Sequence, residues 1–145
     1  MNAVCESVIP RLTEIDMVSK LIEFLSLEGY RVRQEVPNMG QSADLVATRG
    51  RWVTFVEAKL KDWKRAIQQC RPHEQVADFI CVAVASVNVS DSLVREAQDR
   101  GYGIIHRNRN TGAFSWVTRP ALNGNVWRPQ RRRLRRAMRE IGYAR

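Results

Sequence analysis

The chain has 145 residues, 44% hydrophobic and 27% charged, which suits one domain with a buried core and excludes wholesale disorder. Its longest apolar run, Phe79–Ala85, is too short to cross a bilayer as a helix. The net charge of +9 is uneven: residues 127–145 hold eight Arg and one Glu, whereas residues 1–126 are nearly neutral.

Residues 11–28 read as a helix, with Leu12, Ile15, Val18, Ile22 and Leu25 at three- and four-residue steps. Thr13 with Asp16 resembles a capping box, and Gly29 is a stop signal. Tyr30–Val36 reads as a strand ended by Pro37-Asn38. Ala43–Thr48 and Trp52–Lys59 read as a hairpin around Arg49-Gly50-Arg51. Asp62 is a cap for a helix with the stripe Trp63, Ala66, Ile67 and Cys70, which Pro72 ends or kinks. Residues 78–87 have the continuous apolar character of a strand covered on both faces. A helix follows from Ser90 or Asp91 to about Asp99. Then come a hairpin of Tyr102–His106 and Ala113–Val117, a linker over Pro120–Asn125, and a basic helix over Gln130–Ile141. The order predicts an α/β or α+β domain with a mixed sheet flanked by helices. Its bounds are residues 1–120, with residues 121–145 as linker and basic helix.

The strand WVTFVEAK carries the chemistry. Both its faces begin apolar, yet Glu57 and Lys59 appear on one of them. Buried charges are costly unless they are paired or metal-bound. If Gly50-Arg51 is the hairpin loop, paired positions sum to 101 and Asp44 lies opposite Glu57. If Arg49-Gly50 is the loop, the sum is 99 and the two are diagonal. In either register two carboxylates meet, and like charges face to face need a cation. Two carboxylates, a main-chain carbonyl and waters suit the oxygen shell of Mg²⁺. Asp44, Glu57 and Lys59 with Mg²⁺ would attract a phosphodiester and activate water toward it.

Asp44, then twelve residues, then Glu57-Ala58-Lys59 resembles the core of the PD-(D/E)XK nuclease superfamily, as does the αβββαβ order around it. The resemblance covers roughly residues 11–85. Ala43 stands where many members have Pro. It implies a restriction-endonuclease-like fold and a Mg²⁺-dependent nuclease, with Mn²⁺ as a substitute. Asp44 and Glu57 would be the metal ligands and Lys59 the catalytic lysine. Many members add a helix-borne Gln in a Q-x-x-x-Y motif. Gln69 lies about 60° from Ala66 on the helical wheel and Gln68 about 160°, so Gln69 is the better match. His73 stands in the Tyr position, but behind Pro72 it reads as a surface residue. Some members carry an acid on the first helix. Glu14 and Glu23 are candidates, with Glu35 on the first strand as a third.

Arg128, Arg131, Arg132, Arg133, Arg135, Arg136 and Arg139 are candidates for phosphate contacts, while Leu134, Met138 and Ile141 predict that one side of their helix docks. Trp116 and Trp127 could stack on bases or pack as core. Cys70, His73 and Cys81 form only a partial zinc set. Three cysteines and no leader-like N-terminus predict a reducing, cytoplasmic setting. The expected partner is nucleic acid, DNA before RNA, and no membrane; a second copy or a protein partner is one route to specificity. The alternative reading is a nucleic-acid-binding module of the same fold that does not cleave.

Overall fold

A computed structural model of the chain describes residues 13–38 and 41–144, with nothing said of the Gln41 side chain. Leu12, named above, and Cys5, the third cysteine, lie outside the described residues. The elements in order are α1 (Glu14–Leu27), β1 (Arg31–Asn38), β2 (Gln41–Arg49), β3 (Trp52–Lys59), α2 (Trp63–Cys70) and a 3-10 turn (Arg71–Gln75). They continue with β4 (Phe79–Val84), α3 (Asp91–Arg100), β5 (Gly103–Arg107), β6 (Phe114–Thr118) and α4 (Arg128–Glu140).

The strands form one mixed sheet in the order β1-β2-β3-β4-β5-β6. The first three are an antiparallel meander. Two parallel steps, β3 to β4 and β4 to β5, are bridged by α2 and α3. An antiparallel hairpin, β5–β6, closes the far edge. β4 is covered on both faces: Ile80, Val82 and Val84 join the core under α2, α3 and α4, while Cys81, Ala83 and Ala85 join the core under α1.

The local signals act as their chemistry demands. Thr13 and Asp16 form a reciprocal capping box at the start of α1. Asp62 and Ser90 accept main-chain N–H bonds at the starts of α2 and α3, and Gly101 ends α3 in the left-handed region. The buried face of α1 is Met17, Leu21, Ile22 and Leu25; Ile15, expected inside, is 81% exposed. Two overlapping stripes share Ile22 and Leu25, and the helix turns the Met17–Leu21 side inward. Each such side chain contributes roughly 2 kcal/mol, and Leu21→Ala would cost about 3 kcal/mol.

Two corrections concern β1. Pro37 and Asn38 do not end it but continue it opposite Ser42 and Gln41. The strand is at the sheet edge, where a missing N–H is tolerated. The strand also changes faces. Val32 packs in the α1 core and Val36 in the opposite core, although an even spacing should keep them together. Glu35 lies between them at φ +50, an unusual conformation for a side-chain-bearing residue. β2 switches in the same way, with Leu45 in one core and Ala43 in the other. Asp44 is at that switch.

The basic helix belongs to the same body. Leu134 and Met138 enter the core, with Ile141 packed against it. Arg131 forms a 2.6 Å ion pair with Asp78, whose Oδ2 also accepts the Val53 N–H at 2.8 Å. The strap before α4 is held by Asn123, which donates to the Ala77 carbonyl at 2.9 Å, and by Trp127 N–H to the Gln75 carbonyl at 2.6 Å. It crosses the start of β5 closely: a Cβ on Gly103 would lie 2.8 Å from Pro120 Cδ and 3.0 Å from Cys81 Sγ.

Candidate active site

The β2–β3 register sums to 101, leaving Gly50-Arg51 as the loop. Regular pairing stops at Leu45↔Val56, one step before Asp44 and Glu57. There the Ala58 N–H donates to Asp44 Oδ2 at 2.9 Å, which fastens the carboxylate to β3. Glu57 is only 1% exposed. Burial, then the negative charge of Asp44, then a hydrogen bond shared with it, push the Glu57 carboxyl up to about 9. Lys59 opposes the shift more weakly. The two carboxyls therefore do meet at one place, and the sheet buries one of them at substantial electrostatic cost.

His73 is wholly buried, contrary to the surface position expected of it. Pro72 does not turn the chain outward; it occupies the first turn of the 3-10 segment that continues α2. The tighter winding carries His73 beneath the sheet, with its ring 4.6 Å from that of Phe55. His73 Nε2 lies 2.9 Å from Glu57 Oε1, and Nδ1 lies 2.8 Å from Asn38 Nδ2. The Asn38 amide also donates to the Pro72 carbonyl at 3.4 Å, so its nitrogen faces the ring. Nδ1 is then the acceptor and Nε2–H donates to Glu57. Burial holds the ring down to about 4, with Asp44 opposing, so the imidazole is neutral near pH 7. Asn38 carried no signal in the sequence beyond polarity. The Gln69-x-x-x-His73 spacing pointed to His73 beside the carboxylates, whereas the partial zinc set pointed elsewhere.

Lys59 Nζ lies 3.8 Å from Glu14 Oε1, so the first turn of α1 reaches the end of β3. Of the three additional acids, Glu14 joins the cluster. Glu23 pairs with Lys20 on the exposed side of α1. Glu35 is exposed, on the β1 position across from Asp44. Gln69 is half-buried and Gln68 exposed, as the helical wheel predicts. The Gln69 Oε1 is buried without a hydrogen-bond partner.

Among the arginines of α4, Arg131 is spent on Asp78 and on the Val76 carbonyl at 2.7 Å. Arg128, Arg132, Arg133, Arg135, Arg136 and Arg139 are exposed. Trp116 is structural, donating to Glu28 at 2.8 Å, whereas Trp127 is 54% exposed. The partial zinc set does not assemble. Cys70 Sγ faces the Cys81 carbonyl at 3.9 Å, and both His73 nitrogens are engaged. Among the described residues no three His, Cys, Asp or Glu side chains form a ready metal cage. No helix among them is long and apolar enough to cross a membrane.

No family model matches the chain, and no curated protein matches it. Its fold is similar to that of a solved structure, the SPO1766 protein of unknown function from Silicibacter pomeroyi. The two are 14% identical, with a TM-score of 0.67 over 90% of this chain and 86% of that one. At that identity the likeness shows the architecture, a six-stranded mixed sheet flanked by helices, and speaks for the fold alone.

Proposed function

We propose that the chain is a Mg²⁺-dependent nuclease, hydrolysing phosphodiester bonds in DNA before RNA, on a restriction-endonuclease-like αβββαβ core formed by α1 to β4. The observation that carries this reading is a buried Glu57 held against Asp44, with Lys59 two residues further along the same strand. The residues fit a hard divalent cation. Two carboxyls converge where burial makes a second negative charge costly. Among the described residues no N–H donates to Asp44 Oδ1 or Glu57 Oε2. Oxygen ligands of this kind suit Mg²⁺ or Mn²⁺.

When bound, the cation supplies Lewis acidity at a phosphoryl oxygen and water activation. The remaining work belongs to the protein. His73, braced by Asn38, fixes the Glu57 carboxyl from below. Ala58 N–H fixes Asp44. Lys59, held near Glu14, places an ammonium beside the carboxyls, where it can meet charge developing on a phosphate. Gln69 offers an unsatisfied Oε1 at the helix flank. The exposed arginines of α4 supply the attraction for a polyanion.

A second reading is a nucleic-acid-binding module of this fold that does not cleave. It draws support from Glu57 and Lys59 already having protein partners, His73 and Glu14. The deciding experiment is cleavage of plasmid, linear, single-stranded and branched DNA with Mg²⁺ or Mn²⁺. Asp44→Ala, Glu57→Ala and Lys59→Ala should each lower the rate by about 100-fold or more. Cleavage that survives Glu57→Ala would sink the assignment. Binding without cleavage on every substrate would favour the second reading.

A further inference from the structure

The end of the β2–β3 hairpin farthest from Asp44 gathers arginines. Arg31 lies beside Thr48 across β1 and β2, and Arg49 closes β2 before the turn. Arg49 is five residues beyond Asp44, or roughly 17 Å along the strand at about 3.4 Å per residue. Tyr143 arrives here from the end of α4, because the Ala144 N–H donates to the Val32 carbonyl at 2.6 Å. The Tyr143 ring carries two guanidiniums, Arg33 at 4.1 Å and Arg31 at 5.3 Å from its centroid. Gly29, Arg31, Thr48, Arg49, Gly50 and Tyr143 line a pocket of about 340 Å³.

The charge of this pocket is uncompensated. Among the described residues no carboxylate lies within 4.0 Å of Arg31, Arg33 or Arg49. The neighbouring acid, Glu28, is engaged by Trp116 Nε1 at 2.8 Å and by Arg119 at 3.9 Å. Arg33 Nε is buried without a hydrogen-bond partner. Positive charges gathered at one end of a hairpin repel one another, and an anion among them relieves that repulsion. Forked donors suit the tetrahedral oxygens of a phosphate. Gly29 and Gly50, at φ +91 and +59, leave two walls without side chains. The carrier of that phosphate follows from α4, which runs into this pocket through Tyr143. Six exposed arginines on a 13-residue helix spread positive charge over roughly 20 Å at about 1.5 Å per residue. A polymer of regularly spaced phosphates matches both features.

We infer that Arg31, Arg49 and Tyr143, whose ring also carries Arg33, form a docking pocket for one backbone phosphate of a nucleic acid, at the opposite end of the hairpin from Asp44 and Glu57. The identity of the ligand rests on the nucleic-acid reading above, but the docking requires no cleavage.

The test is binding of a labelled duplex oligonucleotide in EDTA across a salt series. The double variant Arg31→Gln/Arg49→Gln should bind several-fold more weakly. The slope of log K against log salt should become less negative by about 0.9, the value for one released phosphate contact. An affinity and slope equal to wild type would overturn the pocket. Arg31→Lys/Arg49→Lys keeps the charge and removes the fork, so it should weaken binding with little change in slope. If the glutamine variant loses its cooperative thermal transition, the lysine variant decides, and wild-type affinity there overturns the pocket. Wild-type protein that binds phosphatidylserine vesicles but not duplex would assign the pocket to a lipid headgroup and overturn the inference. Failure of cleavage with Mg²⁺ counts against the hydrolase alone, because these titrations contain no divalent cation.

Discussion

His73 Nε2 lies 2.9 Å from Glu57 Oε1, and neither side chain is more than 2% exposed. A neutral imidazole thus supports a carboxyl that is itself reluctant to ionise. This arrangement makes stability depend on pH in a defined direction. Glu57 is raised from an ordinary 4.5 to about 9, so the stability it contributes is full below 4.5 and is lost as pH rises toward 9. His73 is lowered from 6.5 to about 4, so its contribution is full above 6.5 and is lost as pH falls toward 4. The two slopes oppose each other between 4.5 and 6.5, and above 6.5 Glu57 acts alone. In EDTA the unfolding free energy should fall from pH 6.5 to 9 by up to about 1.4 kcal/mol per pH unit. Glu57→Gln should flatten that limb. A flat wild-type curve would contradict the coupling.

His73→Ala removes a buried ring and takes one hydrogen-bond partner from each of Asn38 and Glu57. The expected cost is roughly 3 kcal/mol in denaturant unfolding. Glutamine at this position can donate to Glu57 and accept from Asn38. His73→Gln should therefore recover at least half of the loss and, at the metal site proposed above, bind Mn²⁺ more tightly than His73→Ala in calorimetry. Equal losses for both substitutions would mean that His73 matters only as volume.

Glu35 adopts φ +50 without glycine's freedom. Glu35→Gly should stabilise the protein by roughly 0.5–1 kcal/mol, and Glu35→Val should destabilise it. Both are read from chemical denaturation. If cleavage falls in Glu35→Gly while stability rises, the exposed carboxylate also has a functional role.

The Arg131–Asp78 pair is nearly buried, with side chains 12% and 11% exposed, and it ties α4 to the start of β4. Arg131→Ala leaves Asp78 as an uncompensated charge and should cost about 3 kcal/mol. Arg132→Ala, on the exposed face, should change stability by less than about 0.5 kcal/mol. The pair of substitutions separates the arginine that anchors the helix from those on its exposed face.

Much of this was legible in the sequence because its signals are local. The caps at Thr13, Asp62 and Ser90, a tight turn within residues 49–51 and the doubly covered β4 all follow from near neighbours along the chain, although only the fold chose Gly50-Arg51 as the loop. The meeting of Asp44 and Glu57 followed from the hairpin register. The features not legible depend on contacts between distant segments. Asn38 reaches His73 only because β1 changes faces at Glu35, and no period-two pattern encodes that switch. Pro72 ends the α-helix as its chemistry demands, but the 3-10 turn that holds it carries His73 inward rather than to the surface. Arg131 was indistinguishable from its neighbours until Asp78 was placed beside it. Ile15 and Met17 offered two nearly equivalent helix phases, and packing chose between them.

The close crossing at Gly103 has a consequence for the arginine helix α4. The strap from Pro120 to Trp127 rests where no side chain stands. A methyl group at position 103 would lift that strap from β5 and strain the Asn123 and Trp127 hydrogen bonds that seat α4. One absent carbon atom on β5 thus sets the aim of the arginine helix, and under the nucleic-acid reading proposed above Gly103→Ala would alter affinity without touching a charge.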